Sequence, residues 1–192
     1  MTMVRDLVAD FERKFAEIRR DTERAIAQLD AAEIRRSPDG QVNSVAVTMQ
    51  HVGGNLRSRF TDFLASDGEK PWRDREGEFV DGLPPGEAGR DAALAAWRAG
   101  WETLETTLAT LSDSDLACTV RIRGQPHRVA LALARSLAHV AYHQGQITLL
   151  ARMLVGPVRW KCISIPRGGT AAHHAAMGFA PDTPGEASSP RR

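Results

Sequence analysis

The chain has 192 residues, which suits one domain with a full hydrophobic core. Its hydrophobic fraction of 42% and charged fraction of 26% are ordinary for a globular protein and exclude a disordered, fibrous or membrane-spanning class. The formal net charge is +1 and the arginines are interspersed with acidic residues, so nucleic acid is not expected as a partner.

Cysteine usage predicts a reducing compartment. Only Cys118 and Cys162 are present, without a CxxC pair or the cysteine density of a disulfide framework. Neither has a recognisable base beside it, so we expect buried structural thiols and not nucleophiles. The amino terminus lacks the apolar run of a secretory signal, and a cytoplasmic protein that binds no membrane is predicted.

Two helices are predicted in the first third of the chain. Apolar residues recur at helical spacing from Val4 to Leu29, which indicates an amphipathic helix. Asn43 or Ser44 can cap a second helix that runs to about Ser66. The pair Gly53-Gly54 inside it is costly to a helix, which indicates a close approach of backbone or ligand.

A long connection should follow, because residues 67–89 contain three prolines and five glycines. A third helix is then predicted from regularly spaced apolar residues between Leu94 and Leu111, with Trp97 and Trp101 on the same stripe. These tryptophans should lie in the core.

The last part of the pattern combines a hairpin and a helix. The segment Cys118–Ile122, the Arg123-Gly124 turn and the segment Gln125–Val129 alternate like two short strands. A fourth helix should run from about Val129 to Leu154 and end at Gly156-Pro157. The sequence therefore predicts an all-α, four-helix bundle with a long crossover connection and a short β-hairpin before the last helix. We place it in residues 1–165, with a flexible tail rich in Gly, Ala, Ser and Pro in residues 166–192.

Histidine spacing supplies the first indication of chemistry. His139 and His143 lie four positions apart on the fourth helix, so both imidazoles occupy one face and can share an ion. The same spacing also arises by chance, with one histidine satisfied in the core and the other facing water. Helical bundles build metal sites from inward side chains on facing helices, and such a site requires a third ligand.

His51 is the natural third candidate, because His127 lies in the predicted hairpin and His173-His174 in the tail. On its own helical wheel His51 falls on a polar stripe with Ser44, Thr48, Asn55 and Ser58, about 120° from the apolar residues. Periodicity alone would let this stripe face water.

The arrangement of His51 on a second helix and His139-x-x-x-His143 on a fourth resembles the metal triad of the DinB-like superfamily. That superfamily includes bacillithiol transferases and mycothiol-dependent maleylpyruvate isomerases. Segments 67–76 (DGEKPWRDRE) and 160–168 (WKCISIPRG) are similar to a subgroup of uncharacterised biochemical role. The resemblance covers roughly residues 5 to 168 and implies zinc or nickel as the ion, with a low-molecular-weight thiol as a second cofactor.

Other polar residues could line a pocket beside the triad. We assign Asn55, Trp72, Arg73 and Tyr142 to substrate binding, and Gln144 and Gln146 could also orient imidazoles. Lys70, Arg73 and Arg75, with Trp72 among them and Arg167 later in the chain, would gather a carboxylate if their loop folds back, although an ordinary charged surface loop explains them equally.

Two functions remain open at this point. Three neutral ligands leave a coordination position free, which is the arrangement of catalytic zinc. One hypothesis is therefore a metal-dependent enzyme that transfers a thiol to, or hydrolyses, a small electrophilic substrate. The alternative is a metal-binding or small-molecule-binding protein without turnover. The resemblance, together with the aromatic residues of the third helix, also predicts a homodimer.

Overall fold

The computed structural model describes residues 4–179 and divides the chain into two compact units, Met1–Trp160 and Lys161–Arg192. The chain is mostly helical, as predicted. The first unit contains four long helices and an antiparallel hairpin that precedes the last of them. These elements are α1 (Asp6–Ile26), α2 (Val45–Phe60), α3 (Gly86–Thr110), β1 (Thr119–Ile122), β2 (Gln125–Arg128) and α4 (Val129–Arg159).

The helices pack in two closely associated pairs. Helix α2 packs most extensively on α3, and α1 packs on α4, while α2 and α4 also contact each other. Trp97 and Trp101 are 2% and 0% exposed, which confirms that they belong to the core. The aromatic residues of α3 therefore offer no surface for the predicted dimer.

Helix α2 is buried on its polar side as well as on its apolar side. Ser44, Thr48, His51 and Ser58 are all at most 6% exposed. Their hydroxyl groups bond locally: Ser44 caps the helix by accepting from the amide of Val47, and Ser58 donates to the carbonyl of Gly68. Periodicity alone left this stripe free to face water, but α4 and residues 77–79 of the connection pack on α2, and only Asn55 of the stripe is half-buried.

Helix α2 ends earlier than predicted, at Phe60 instead of about Ser66. Thr61 is extended, and Asp62 adopts a left-handed conformation with φ of 48°, which redirects the chain. Phe63 nevertheless remains buried and packs 5.0 Å from the ring of Phe60. Because Phe63 lies three positions after Phe60, the apolar pattern predicted that the helix continues beyond Phe60.

The close approach predicted from the glycine pair is present between α2 and α3. A Cβ at Gly53 would lie 2.3 Å from the carbonyl oxygen of Ala96, and a Cβ at Gly100 would lie 2.6 Å from the Cα of Gly53. These backbones touch because neither position carries a side chain. The contact fixes the depth at which α2 sits against α3.

The predicted hairpin is confirmed, with Ile122 paired to Gln125 across a two-residue turn. Arg123 and Gly124 both have positive φ, 54° and 75°, as a tight hairpin turn requires. The carboxylate of Asp67 accepts from the amides of both turn residues, at 2.8 and 2.7 Å. This contact ties the start of the long connection to the hairpin.

Helix α4 follows the hairpin directly. Gly156 interrupts it with φ of 75°, at the predicted Gly156-Pro157 stop, and one further helical turn reaches Arg159. No helix between residues 4 and 179 combines the length and apolar character that a membrane span requires.

The second unit contains a short helix α5 (Thr170–Ala176), where the sequence predicted no regular structure. The remainder of the predicted tail, residues 180–192, lies outside the described residues. The division between bundle and tail at residues 165 and 166 stays a prediction.

Candidate metal centre

Three histidines from two helices converge on one point. The Nε2 atom of His139 lies 3.3 Å from Nε2 of His51 and 3.2 Å from Nε2 of His143. One nitrogen of each ring falls within 4.8 Å of the other two, so the cluster could hold a metal ion. His51 comes from α2, while His139 and His143 lie one turn apart on α4.

The orientation of the His51 ring is set by a residue of the long connection. Nδ1 of His51 lies 3.0 Å from Oε2 of Glu78, and the ring of Phe79 packs 4.5 Å from the imidazole. An ionised carboxylate can only accept, so Nδ1 carries the proton and Nε2 presents its lone pair. Carboxylate partners of this kind orient histidine ligands in metalloproteins.

Glu78 is itself held by Arg73, whose side chain is only 2% exposed. Nε and Nη2 of Arg73 donate to the two carboxylate oxygens at 2.7 and 2.8 Å, a bidentate pair. Burial opposes ionisation of Glu78, but the hydrogen bonds from Arg73 and His51 outweigh it and lower the pKa of this carboxyl group. The Glu78 carboxylate that accepts the hydrogen bond from His51 therefore stays ionised.

His143 has an equivalent arrangement with a neutral partner. Its Nδ1 lies 2.7 Å from Oε1 of Gln146, one turn further along α4. The amide oxygen accepts, so Nε2 of His143 also presents a lone pair toward His139. Gln146 is thus one of the residues predicted from sequence to orient an imidazole. Burial lowers the pKa of His143.

His139 lies at the centre of the cluster. Burial, and then the neighbouring His143 and His51, lower the pKa of His139 to about 3, so its imidazole is neutral at physiological pH. Its buried Nδ1 has no hydrogen-bond partner among residues 4–179.

The donor set could hold a divalent metal ion. Two of the three imidazoles have their outer nitrogen engaged by an oxygen acceptor, which directs the lone pairs of the inner nitrogens toward one another. Neutral imidazole is a ligand for zinc, nickel, iron and copper. A cluster of facing lone pairs is unfavourable without a shared cation or proton between them.

An open cavity of about 600 Å³ adjoins the cluster. His51 and His139 line it, together with Asn55 and several arginines of α2, the long connection, the hairpin and α4. The connection and the hairpin both contribute lining residues and are joined by the contacts of Asp67 with the turn.

A family model described as protein of unknown function (DUF1572) matches residues 2–169. The chain belongs to this family. The matched residues include all three histidines and the connection that carries Glu78. The chain matches no curated protein and no solved structure.

The four residues assigned to substrate binding from the sequence have different surroundings in the structure. Asn55 lines the cavity, and so does Arg73, although two of its nitrogens are engaged by Glu78. Trp72 is 49% exposed and stacks under the guanidinium of Arg57 at 4.8 Å. Tyr142 is 63% exposed and contacts the edge of His143 at 5.1 Å. Neither Trp72 nor Tyr142 lines this cavity.

Sequence reasoning missed three residues of the site. Glu78 lies 27 positions after His51 in an irregular segment, so no periodicity connects it to the cluster. Arg59 and Arg135 lie on α2 and α4 and line the cavity, but as single charges on predicted helices they carried no signal. The spacing of Arg135 from His139, one helical turn, would have placed it on the histidine face.

The expectation of buried cysteines was wrong. Cys118 and Cys162 are both free and exposed. Cys118 lies immediately before β1, and Cys162 belongs to the second unit.

Proposed function

We propose that this DUF1572 protein is a metal-dependent enzyme of the DinB-like superfamily, with a four-helix bundle that binds one zinc or nickel ion. The ligands are His51, His139 and His143. The observation that carries the proposal is the engagement of the outer nitrogens of His51 and His143 by Glu78 and Gln146, which turns their inner nitrogens toward His139.

The proposed reaction is thiol transfer to, or hydrolysis of, a small electrophilic substrate. A bound divalent ion lowers the pKa of coordinated water to near neutrality and deprotonates a coordinated thiol. The residues of the chain hold and orient the reactants: Glu78 keeps His51 in one tautomer, Arg73 keeps Glu78 ionised, and the cavity receives the substrate beside His51 and His139.

A second candidate is a metal-binding or small-molecule-binding protein without turnover. The observation in its favour is that no Asp, Glu, Lys, Tyr or Cys side chain lines the cavity in the described part of the chain. Within residues 4–179, His127 is the one titratable residue that lines the cavity besides the histidine cluster and the arginines. Acid-base chemistry would thus depend on His127 or on the ion itself.

Metal analysis tests the ligand assignment. The full chain, purified without chelator or polyhistidine tag, should carry about one divalent ion per chain. His51→Ala, His139→Ala and His143→Ala should lose it, whereas the control His127→Ala, a cavity residue outside the cluster, should retain it. Metal-free wild type, or full metal content in the three variants, would overturn the assignment.

Activity assays separate the two candidates. Metal-loaded protein is incubated with a generic alkylating electrophile in the presence or absence of a thiol such as bacillithiol. Consumption of the electrophile that depends on the metal and on the three histidines supports the enzyme. Stoichiometric metal without turnover under either condition favours the non-catalytic protein.

A further inference from the structure

The arginines of the cavity form a positive surface next to the histidine cluster. Five arginines and no acidic residue line it: Arg59, Arg73, Arg75, Arg123 and Arg135. A cleft lined by charge of one sign concentrates ligands of the opposite sign.

Three of these arginines are neutralised by carboxylates outside the cavity wall. Arg73 pairs with Glu78, Arg123 pairs with Glu69 at 2.9 Å, and Arg75 pairs with Glu76 at 2.8 Å. Each of these three charges has a carboxylate partner within 3 Å, so these arginines contribute less uncompensated positive charge to the cavity than an unpaired arginine does.

Arg59 has no such balance. It is only 9% exposed, and no carboxylate among residues 4–179 forms an ion pair with it. Its Nη1 is buried and finds no acceptor in the same residues. Burial lowers the pKa of Arg59, Glu69 opposes this effect, and the charges of Arg73, Arg123 and Arg135 add to it. A buried cation without an ion-pair partner is costly, and because Arg59 also lines the cavity, an anion bound there would supply the missing partner.

Arg135 also lacks a carboxylate partner among the described residues, and a neutral residue holds it in place. Its Nη1 lies 2.6 Å from Nε2 of His127. Nδ1 of His127 lies 3.0 Å from the carbonyl oxygen of Gln125 and donates to it, so Nε2 accepts from the guanidinium. The contact orients the guanidinium without neutralising its charge.

Arg59 and Arg135 meet at a small recess of about 90 Å³. Asn55, Ser136 and His139 also line it, and its volume matches one small functional group, since a water molecule occupies about 30 Å³. His139 lines the recess and the larger cavity alike, so a group in the recess lies beside the histidine cluster.

We propose that Arg59 and Arg135 bind an oxyanion, a carboxylate or a phosphate, of the substrate. The substrate class is thereby an anionic small molecule whose anionic group occupies the recess while its reactive part lies in the larger cavity. This inference rests on the proposed function for the reactive end, whereas the anion site stands on the arginines alone. Planar guanidinium groups suit both anions because they donate two parallel hydrogen bonds.

The test measures anion binding by isothermal titration to the full chain, in its metal-loaded form and after chelation. The probes are succinate, inorganic phosphate and the uncharged succinamide. Succinate or phosphate should bind both forms and succinamide should not. The tighter of the two anions identifies whether the site prefers a carboxylate or a phosphate.

Two variants assign the binding to the recess. The variants are Arg135→Gln, at an exposed position, and Arg59→Met. Each should weaken anion binding about tenfold or more, because each removes a charge-assisted contact. Arg152→Gln, an exposed arginine of the same helix as Arg135, should leave it unchanged. Arg59→Met should also raise the unfolding midpoint, since it removes an unpaired buried charge; an arginine with a purely structural role would lower it.

The outcomes separate this inference from the proposed function. Anion binding that is absent, or that is equal in wild type, Arg59→Met and Arg135→Gln, overturns the anion site even if the histidines bind metal. If the wild-type chain binds no metal but still binds the anion, the anion site is supported. The same result refutes the metal-dependent function.

Discussion

Gly54 and Glu78 occupy adjoining space so closely that a Cβ at Gly54 would lie 2.1 Å from Oε1 of Glu78. The same carboxylate accepts the hydrogen bond from His51, three positions before Gly54 on α2. The absence of a side chain at position 54 is therefore what lets Glu78 reach the imidazole. Gly53, in contrast, accommodates the backbone of α3.

Gly54→Ala should weaken metal binding and leave the fold intact. The added methyl group displaces the end of a flexible side chain and not backbone, and alanine favours the helix by about 1 kcal/mol. Loss of the Glu78 contact should reduce metal affinity about tenfold or more. Competition with a chromophoric chelator measures it.

Gly145→Ala is the control, because a Cβ there meets nothing within 4 Å. It should leave metal affinity unchanged and stabilise α4. Gly53→Ala should instead destabilise the protein by about 2 kcal/mol, since a Cβ there would lie 2.3 Å from the backbone of Ala96. Unchanged metal affinity in Gly54→Ala would contradict the role given to Glu78.

Glu78→Gln should reduce metal affinity about 10-fold to 100-fold, as removal of the charged partner of a histidine ligand generally does. Its amide also loses the bidentate pairing with Arg73. Chelator competition against Glu76→Gln, whose carboxylate is 86% exposed, provides the comparison. Equal affinities in the two variants would show that the Glu78 contact is incidental.

Removal of the ion should lower stability without loss of helix. Ligand binding stabilises the native state by about 4 kcal/mol when free metal is about a thousand times Kd, which is roughly 10 °C for a chain of this size. The core of α1 to α4 is apolar and independent of the histidines, so far-ultraviolet circular dichroism should retain its helical signal after chelation. Wholesale loss of helix at neutral pH would identify the ion as structural.

The chelated protein should become less stable as pH falls from about 6.5 toward 3. The pKa of His139 is lowered to about 3 in the folded chain, whereas the unfolded chain titrates near 6.5. Between these values the unfolded state binds more protons, so acid favours unfolding, by roughly 2 to 3 kcal/mol at pH 4. Urea unfolding of wild type and His139→Gln at each pH tests this. The variant should have the flatter pH profile, and parallel profiles would contradict the prediction.

The homodimer inferred from the resemblance stays a prediction. With Trp97 and Trp101 buried, a dimer would have to use other residues, such as Leu149 and Met153, which are 62% and 64% exposed on α4. Light scattering at micromolar concentration should give twice the mass of the chain. A monomeric mass would remove the prediction.

The sequence predicted the elements that have strong local signals. Helix α3, the hairpin turn and the stop at Gly156 all follow from periodicity or from glycine and proline chemistry that acts over a few residues. Phe63 shows the limit of this reasoning. Its spacing is helical, yet its burial is achieved by a bend at Asp62 that the pattern does not record.

The candidate site was only partly accessible to sequence reasoning. Helical spacing related His139 to His143. His51 was assigned to the site because the other histidines lie in the hairpin and the tail, and by family resemblance, since its own helical stripe is polar. Tertiary packing buries that stripe, and periodicity cannot report which neighbour covers a helix. The contact of Glu78 with His51 depends on the path of an irregular connection, which a linear pattern does not encode. The importance of Arg59 depends on its lack of a counter-charge, which is visible only once the chain is folded.

The histidine cluster spans the seam between the two helix pairs described above. His51 belongs to α2, which rests mainly on α3, while His139 and His143 belong to α4, which rests mainly on α1. A ligand held across such a seam resists separation of the pairs and, by reciprocity, is released when they separate. An ion held by the three imidazoles would therefore add to the free energy that keeps α2 against α4, a contribution that only the side-chain packing between these helices supplies in the chelated protein.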